Sequence, residues 1–171
     1  MKGYWLAALS LLWMTCASDS TPPLPYIASA GTAPPTVDEA LARAVLEEVN
    51  ALRASGCQCP GGRYFKPSEP LRWDTTLAQA AKTHAEDMRL KRYFDHTSAD
   101  GTDFADRITR AGYTWQSVGE NIAKGQPTAR AVVQAWKASK YHCSNMMNRH
   151  FQDMGVGKAG PYWVQDFGRK K

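Results

Sequence analysis

The sequence predicts an α+β domain, because helical periodicity dominates its earlier part and strand-like segments appear only near its C-terminus. Four stretches between Asp38 and Ser139 carry apolar residues at helical spacing. Two later segments, Phe151 to Val156 and Tyr162 to Phe167, have the composition of strands, and the turn-rich linker from Gly157 to Gly160 is consistent with a hairpin. Several helices with late strands indicate that helices pack on a sheet.

Each of the four predicted helices has a start or stop signal in the sequence. The first begins with the capping box Thr36-x-x-Glu39, and the second follows Asp74, a good N-cap residue. The third ends at Gly112, which suits a left-handed cap, and the fourth follows Pro127. The predicted helices span Asp38 to Ala54, Thr75 to Leu90, Asp103 to Arg110 and Thr128 to Ser139.

The N-terminal segment is predicted to lie outside this domain. Residues 1–17 have the layout of a signal peptide. Their apolar run is too short for a membrane-spanning helix, which needs about 20 apolar residues. Two hypotheses remain open for its processing: cleavage after Ala17, or lipidation of Cys16. Residues 18–36 are rich in Pro, Ser and Thr and predict a flexible linker, which leaves residues 37–171 as one domain. The mature chain is expected to be secreted, extracellular or periplasmic, without a transmembrane helix.

The charge balance narrows the classes of partner. The formal net charge is +5, which favours anionic surfaces such as lipid headgroups or envelope polymers. The Lys and Arg residues are scattered, and neither a basic stripe nor a stacking motif accompanies them. Nucleic-acid binding is therefore not expected.

Four cysteines, Cys16, Cys57, Cys59 and Cys143, bear on the redox state of an exported chain. Outside the cytoplasm they are expected to pair. Cys57 and Cys59 are too close in sequence for an easy mutual disulfide, so one of them is expected to pair with Cys143. We favour Cys59. A zinc site made of the three thiols is the weaker alternative, since a fourth ligand is missing.

Three fragments carry side chains that could perform chemistry. His96 stands in Phe94-Asp95-His96-Thr97-Ser98, a predicted loop, where a side chain is free to face a cleft. Glu120 stands in Gly119-Glu120-Asn121-Ile122, and Ser139 and His142 follow Trp136 near the end of the fourth predicted helix. Taken alone, His96 could be a hydrogen-bonded structural residue and Glu120 a solvated loop acid.

The order and spacing of these fragments resemble the CAP superfamily of cysteine-rich secretory, antigen 5 and pathogenesis-related proteins, in its bacterial SCP-like branch. Further matching segments are Leu71-Arg72-Trp73-Asp74, His142-Cys143-x-Asn145 and Tyr162-Trp163-Val164-Gln165. The resemblance implies a three-layer α-β-α sandwich with a central antiparallel sheet. It also implies a large open cleft lined by two histidines and two acidic residues.

Carried over to this chain, the two histidines of the cleft are His96 and His142, and the first acid is Glu120. The second acid belongs three residues after Trp136, where this chain has Ser139. Members of the superfamily can bind a divalent metal through the two histidines. The resemblance therefore implies a zinc site at His96 and His142, with Glu120 nearby.

Two function classes follow from the resemblance. The first is a binding module for lipid, envelope-polymer or protein ligands. The alternative is a protease-like hydrolase that uses the same cleft, either assisted by a metal or with Ser139 as nucleophile, His142 as base and Glu120 as its orienting acid. Because the second acid is missing, binding is the favoured hypothesis. Whether the protein is an enzyme, its ligand and its oligomeric state stay open at this stage.

Overall fold

Helix α1 (Val37–Ser55) opens the part of the chain that the computed structural model describes, residues 35–171. Its predicted capping box is present. The Glu39 backbone N–H donates to Thr36 Oγ1, and the Glu39 carboxylate accepts from the Thr36 backbone N–H. The predicted signal peptide, Cys16 and most of the predicted linker lie outside the described residues.

The elements that follow α1 agree with the predicted α+β class, with four strands and one helix added. In chain order they are β1 (Cys57–Gln58), β2 (Tyr64–Phe65), β3 (Arg72–Trp73), α2 (Thr75–Lys91), α3 (Phe104–Arg110), β4 (Trp115–Lys124), α4 (Ala129–Lys137), α5 (Lys140–Met146), β5 (Asp153–Ala159) and β6 (Tyr162–Lys170). Strands β1 to β4 were not predicted, and β4 is the longest of them. The fourth predicted helix ends at Lys137 instead of Ser139, and α5 is a separate helix.

The central sheet has the strand order β3-β5-β6-β4. Strands β4, β5 and β6 are antiparallel, as expected, whereas the two-residue strand β3 pairs parallel with β5. Strands β1 and β2 form a separate small antiparallel hairpin. In the register of β4 and β6, Glu120 lies directly opposite Asp166. This register places two carboxyl groups side by side in the middle of the sheet.

Helices cover both faces of the sheet, which confirms the three-layer α-β-α sandwich. On one face, α2 packs through Ala81 and Met88 against Ile122 and Val164. On the other face, α1 and α4 bury an apolar cluster against the sheet. Its larger members are Val45, Val49, Trp136, Met154, Val156, Trp163 and Phe167. Within residues 35–171, no helix is both long and apolar enough to cross a lipid bilayer.

Two glycines of β5 let helix α2 lie directly on the sheet. A Cβ atom at Gly155 would come within 2.0 Å of the Ala78 backbone nitrogen, and one at Gly157 within 2.1 Å of the Lys82 nitrogen. A side chain at either position would push the helix away. The close approach fixes α2, whose buried His84 hydrogen-bonds through Nε2 to the carbonyl of Asp95, next to His96.

A disulfide connects the small hairpin to α5. It joins Cys59 to Cys143, the pairing that we favoured, and closes a loop with a sequence separation of 84 residues. Cys57 is a buried free thiol with its Sγ 3.8 Å from that of Cys143, and burial raises the pKa of this thiol. Because α5 also carries His142, the disulfide restrains the helix that bears one of the predicted site residues.

Candidate functional site

Glu120 is the centre of the site. It lies in the middle of β4 with its side chain fully buried, so the hypothesis of a solvated loop acid is wrong. Its Oε1 lies 2.7 Å from His96 Nδ1, and its Oε2 accepts a hydrogen bond of 2.7 Å from Arg107 Nη2. Both carboxylate oxygens are therefore engaged, one by each neighbour.

His96 lies in the connection between α2 and α3, as the sequence predicted. Its side chain is 48% exposed, which leaves the ring accessible from solvent. The hydrogen bond from Nδ1 to Glu120 raises the pKa of His96 and favours the tautomer with a proton on Nδ1. In the neutral form of this ring, Nε2 is the nitrogen that is available to a ligand.

His142 lies in the first turn of α5 and is half-buried. Burial lowers its pKa, and the charge of His96 lowers it further, so the neutral imidazole is favoured. Helix α5 is tied to β4 by two amides. Asn121 Nδ2 donates to the His142 carbonyl over 3.2 Å, and Asn145 Nδ2 donates to Asn121 Oδ1 over 2.9 Å. These bonds position the second histidine beside the strand of Glu120.

Ser139 stands at the N-cap of α5, where the second acid was expected. Its backbone is extended, and its side chain makes no capping hydrogen bond. Among the hydrogen bonds of residues 35–171, none joins the Ser139 hydroxyl to His142. The structure thus brings His96 and Glu120 into direct contact, whereas it does not join Ser139 to either of them.

Arg107 is a site residue that the sequence analysis missed. It projects from α3 with a side chain only 9% exposed. Besides Glu120, its guanidinium donates to Ser98 Oγ and to the Thr102 carbonyl, each over 3.0 Å. Arg107 therefore fixes both the carboxylate and the loop that follows His96. Nothing in the sequence around residue 107 distinguishes it from an ordinary helix-surface arginine.

Asp166 is the second residue that the sequence analysis missed. It is 1% exposed, and within the described part of the chain its Oδ1 has no hydrogen-bond partner. Burial is the main cause that raises the pKa of Asp166 well above its ordinary value, and the charge of Glu120 raises it further. The neutral acid is therefore favoured beside the ionised Glu120. The one available signal was the polar pair Gln165-Asp166 inside an apolar strand.

The raised pKa of Asp166 predicts a pH-dependent stability. Folding favours the protonated acid, so its contribution is fully present below 3.8, the ordinary Asp value, and decreases as the pH rises toward the higher folded-state pKa. In the Asp166→Asn variant this group does not titrate. From pH 4 upward we expect the variant to gain stability relative to wild type, by at most about 1.4 kcal/mol per pH unit.

Urea unfolding of both proteins between pH 4 and pH 8 measures this difference. The two stability curves should separate progressively above pH 4. Parallel curves over the whole range would show that Asp166 is ionised in the folded protein at all of these pH values.

The three-layer α-β-α sandwich agrees with the class of SCP-like domains. A family model described as "Cysteine-rich secretory protein family" (CAP) matches residues 46–167 of the chain. This match covers most of the described domain, including His96, Glu120 and His142. The chain belongs to the CAP family.

Individual proteins show the same relationship. YkwD of Bacillus subtilis is 41% identical over 101 residues, which cover 58% of this chain and 39% of YkwD. The structure of an extracellular protein of Bacillus anthracis that contains an SCP domain is 28% identical and has a TM-score of 0.70, with coverage of 81% of this chain and 45% of that one. An outer surface protein of Borrelia burgdorferi is 23% identical, with a TM-score of 0.61. The match covers 77% of this chain and 91% of the Borrelia chain, and it shows the fold alone. This chain spans less than half the length of the two Bacillus proteins, 39% and 45%.

Proposed function

We propose that this protein is a ligand-binding module that works outside the cytoplasm, and that its binding site is the cleft of His96, Glu120 and His142. The location is supported by the signal-peptide pattern of residues 1–17 and by the similarity to an extracellular SCP-domain protein. The disulfide between Cys59 and Cys143 agrees with an oxidising compartment. Lipid, envelope polymer and protein are the candidate ligand classes.

The observation that carries the proposal is the engagement of both Glu120 oxygens. One oxygen orients His96 through Nδ1 and the other is fixed by Arg107, so Nε2 of His96 is left for a ligand. A carboxylate that orients a histidine in this manner is typical of metal-binding imidazoles. His142 supplies a second imidazole, which its lowered pKa keeps neutral.

This donor set fits zinc, because zinc accepts neutral imidazoles and keeps an open position when few protein ligands are present. His96 and His142 would hold the ion, and Glu120 would orient His96 instead of acting as the third ligand. When bound, zinc would supply a Lewis acid to which an anionic or carbonyl group of a ligand could coordinate. Arg107 and the Glu120 carboxylate would hold the first imidazole in place.

Metal analysis of the full chain, purified without a polyhistidine tag, tests the site. We expect one zinc per chain after incubation with zinc and removal of the excess. Zinc should be lost in the His96→Ala and His142→Ala variants and retained in His150→Ala, a matched control because His150 is exposed and outside this cleft. Zinc bound equally by all four proteins, or by none, contradicts the proposal.

Ligand binding is tested by pull-down with liposomes and with envelope polymer. We expect binding that decreases in the His96→Ala, His142→Ala double variant. If binding survives in the double variant, the affinity belongs to a different surface and the proposed role of the cleft is wrong. The zinc measurement remains valid in either case, so the two parts of the proposal can be separated.

The serine-hydrolase alternative has less support than binding. Ser139 lacks a hydrogen bond to His142 within residues 35–171, and both Glu120 oxygens bind other side chains, so Glu120 does not orient His142. A fluorophosphonate probe measures this directly. We expect no labelling, and labelling that disappears in Ser139→Ala would favour the hydrolase.

A further inference from the structure

A second concave site lies on the side of the domain that the disulfide restrains. It is a groove of about 450 Å³ between the β1–β2 hairpin and the α5 segment with the loop after it. We call it the basic groove. Its hairpin wall is formed by Arg63, Tyr64, Phe65 and Lys66, and its opposite wall includes Arg149. None of the residues of the cleft proposed above, His96, Glu120 and His142, lines it.

The Lys and Arg residues of the basic groove are not balanced by acidic residues in its lining. Arg63, Lys66 and Arg149 all line it, and its lining includes no Asp or Glu. All three cations are exposed, and none forms a salt bridge with another residue of the described range 35–171. Arg63 lies over the Phe65 ring at 4.4 Å, and Arg149 uses one nitrogen to donate to the Pro67 carbonyl. Their positive charge is therefore available to an anionic ligand.

The other groups of the groove suit a hydroxylated ligand. Tyr64, which lines the groove, is 56% exposed, and its ring offers a flat apolar surface. Ser144, Asn145 and Asn148 contribute hydroxyl and amide groups to the opposite wall. Sugars combine hydroxyl groups with apolar ring faces, and the volume is within the range of small-ligand pockets.

The two walls are held together covalently. The disulfide joins Cys59 of the hairpin segment to Cys143 of α5, and Phe65 packs on the cluster that contains both cysteines and Met147. The groove is therefore preorganised by a cross-link, which reduces the ordering cost of binding. Asn145 also donates to the Glu120 carbonyl over 3.2 Å, so the basic groove adjoins the strand of the first site.

From these observations we infer that the basic groove binds an anionic oligosaccharide, a chain of sugars that bear carboxylate or phosphate groups. Arg63, Lys66 and Arg149 bind the acidic groups as charge-assisted donors. Tyr64 packs on a sugar ring, and the Asn148 amide of the opposite wall binds a hydroxyl group through Nδ2. This inference goes beyond the binding proposed at the histidine cleft and uses different residues.

The test uses the full-length oxidised protein and four probes: an oligouronate, a phosphorylated oligosaccharide, a neutral oligosaccharide of equal length, and vesicles of anionic phospholipid. We expect the oligouronate, the phosphorylated oligosaccharide or both to bind, the neutral one to bind much more weakly, and salt to weaken binding. The stronger of the two acidic probes identifies which acidic group is preferred. Preference for the vesicles over both acidic oligosaccharides overturns the inference, because it assigns the charge to a membrane surface.

Variants separate the groove from the net charge of the protein. The Arg63→Glu, Lys66→Glu double variant should weaken binding of the acidic oligosaccharide by about tenfold or more. The charge-matched control Lys82→Glu, Arg130→Glu changes two residues that do not line the groove and should leave this binding unchanged. Tyr64→Ala should weaken it several-fold without changing its salt dependence, because the ring carries no charge. Equal losses in both charge-reversed variants, or full affinity in Tyr64→Ala, overturn the inference. Circular dichroism confirms that each variant is folded.

Discussion

The Cys143→Ala variant is expected to lose about 4.5 kcal/mol of stability, because it removes the disulfide that closes a long loop. The cross-link spans a sequence separation of 84 residues, and in the chain-entropy model it restricts the unfolded chain by that amount. Urea unfolding of the oxidised variant and of wild type measures the difference. Reduced wild-type protein should lose nearly as much, whereas equal stability of oxidised and reduced wild type would contradict the prediction.

The neighbouring thiol provides the matched controls. Cys57→Ala removes a buried cysteine from the same cluster but keeps the disulfide, so it measures the packing loss alone. Cys59→Ala should lose less than Cys143→Ala, because Cys57 Sγ lies 3.8 Å from Cys143 Sγ and can replace Cys59 in the presence of oxidised glutathione. Peptide mapping of that variant should find Cys57 linked to Cys143. An equal loss in Cys59→Ala and Cys143→Ala would show that this replacement does not form.

The helices could be predicted because their signals are local. Thr36 and Glu39 form the expected capping box, and the Asp74 carboxylate accepts from the backbone N–H groups of Thr76 and Leu77. Such caps depend on residues within one turn of the helix end. The position of His96 in a loop was predicted for a similar reason, since no periodic apolar pattern surrounds it.

Strand β4 could not be predicted, because polar residues interrupt its buried stretch and only Ile122 and Ala123 there have apolar side chains. Glu120 and Asn121 are both buried, although a strand pattern normally requires apolar residues at such positions. Their partners come from distant parts of the chain: Arg107 from α3 for Glu120, and Gln165 from β6 for Asn121. The polar network that makes β4 possible exists only after the fold has formed.

The break between α4 and α5 also depends on contacts with distant parts of the chain. Residues 128–146 contain no proline or glycine that would end a helix, so the sequence predicts that the helix continues through Ser139. In the structure, Ser139 adopts an extended backbone and α5 begins as a separate helix at Lys140. Long-range contacts hold α5 there, among them the disulfide at Cys143 and the hydrogen bonds of Asn121 and Asn145. His142 reaches the site through this tertiary arrangement.

Among the site variants that keep the shape of the side chain, Glu120→Gln is expected to lose the most stability. Glu120→Gln removes the negative charge opposite Arg107, whose side chain is only 9% exposed. Loss of one partner of a buried ion pair costs about 3–5 kcal/mol, because the other charge stays buried without compensation. We expect a loss near the lower end of this range, measured by urea unfolding at pH 7. As a control, Arg130→Ala, which breaks an exposed pair with Glu48, should cause no measurable loss.

The loss in Glu120→Gln is expected to be limited by Asp166. The charge of Glu120 helps to keep Asp166 neutral, whereas Arg107 favours its ionised form. When Glu120 is replaced, Asp166 can therefore ionise and compensate Arg107 in part. The Glu120→Gln, Asp166→Asn double variant removes this second carboxylate, so its loss should exceed the sum of the two single variants, with a coupling of about 1 kcal/mol or more. Additive losses would show that the two carboxyl groups titrate independently, in which case Arg107 depends on Glu120 alone.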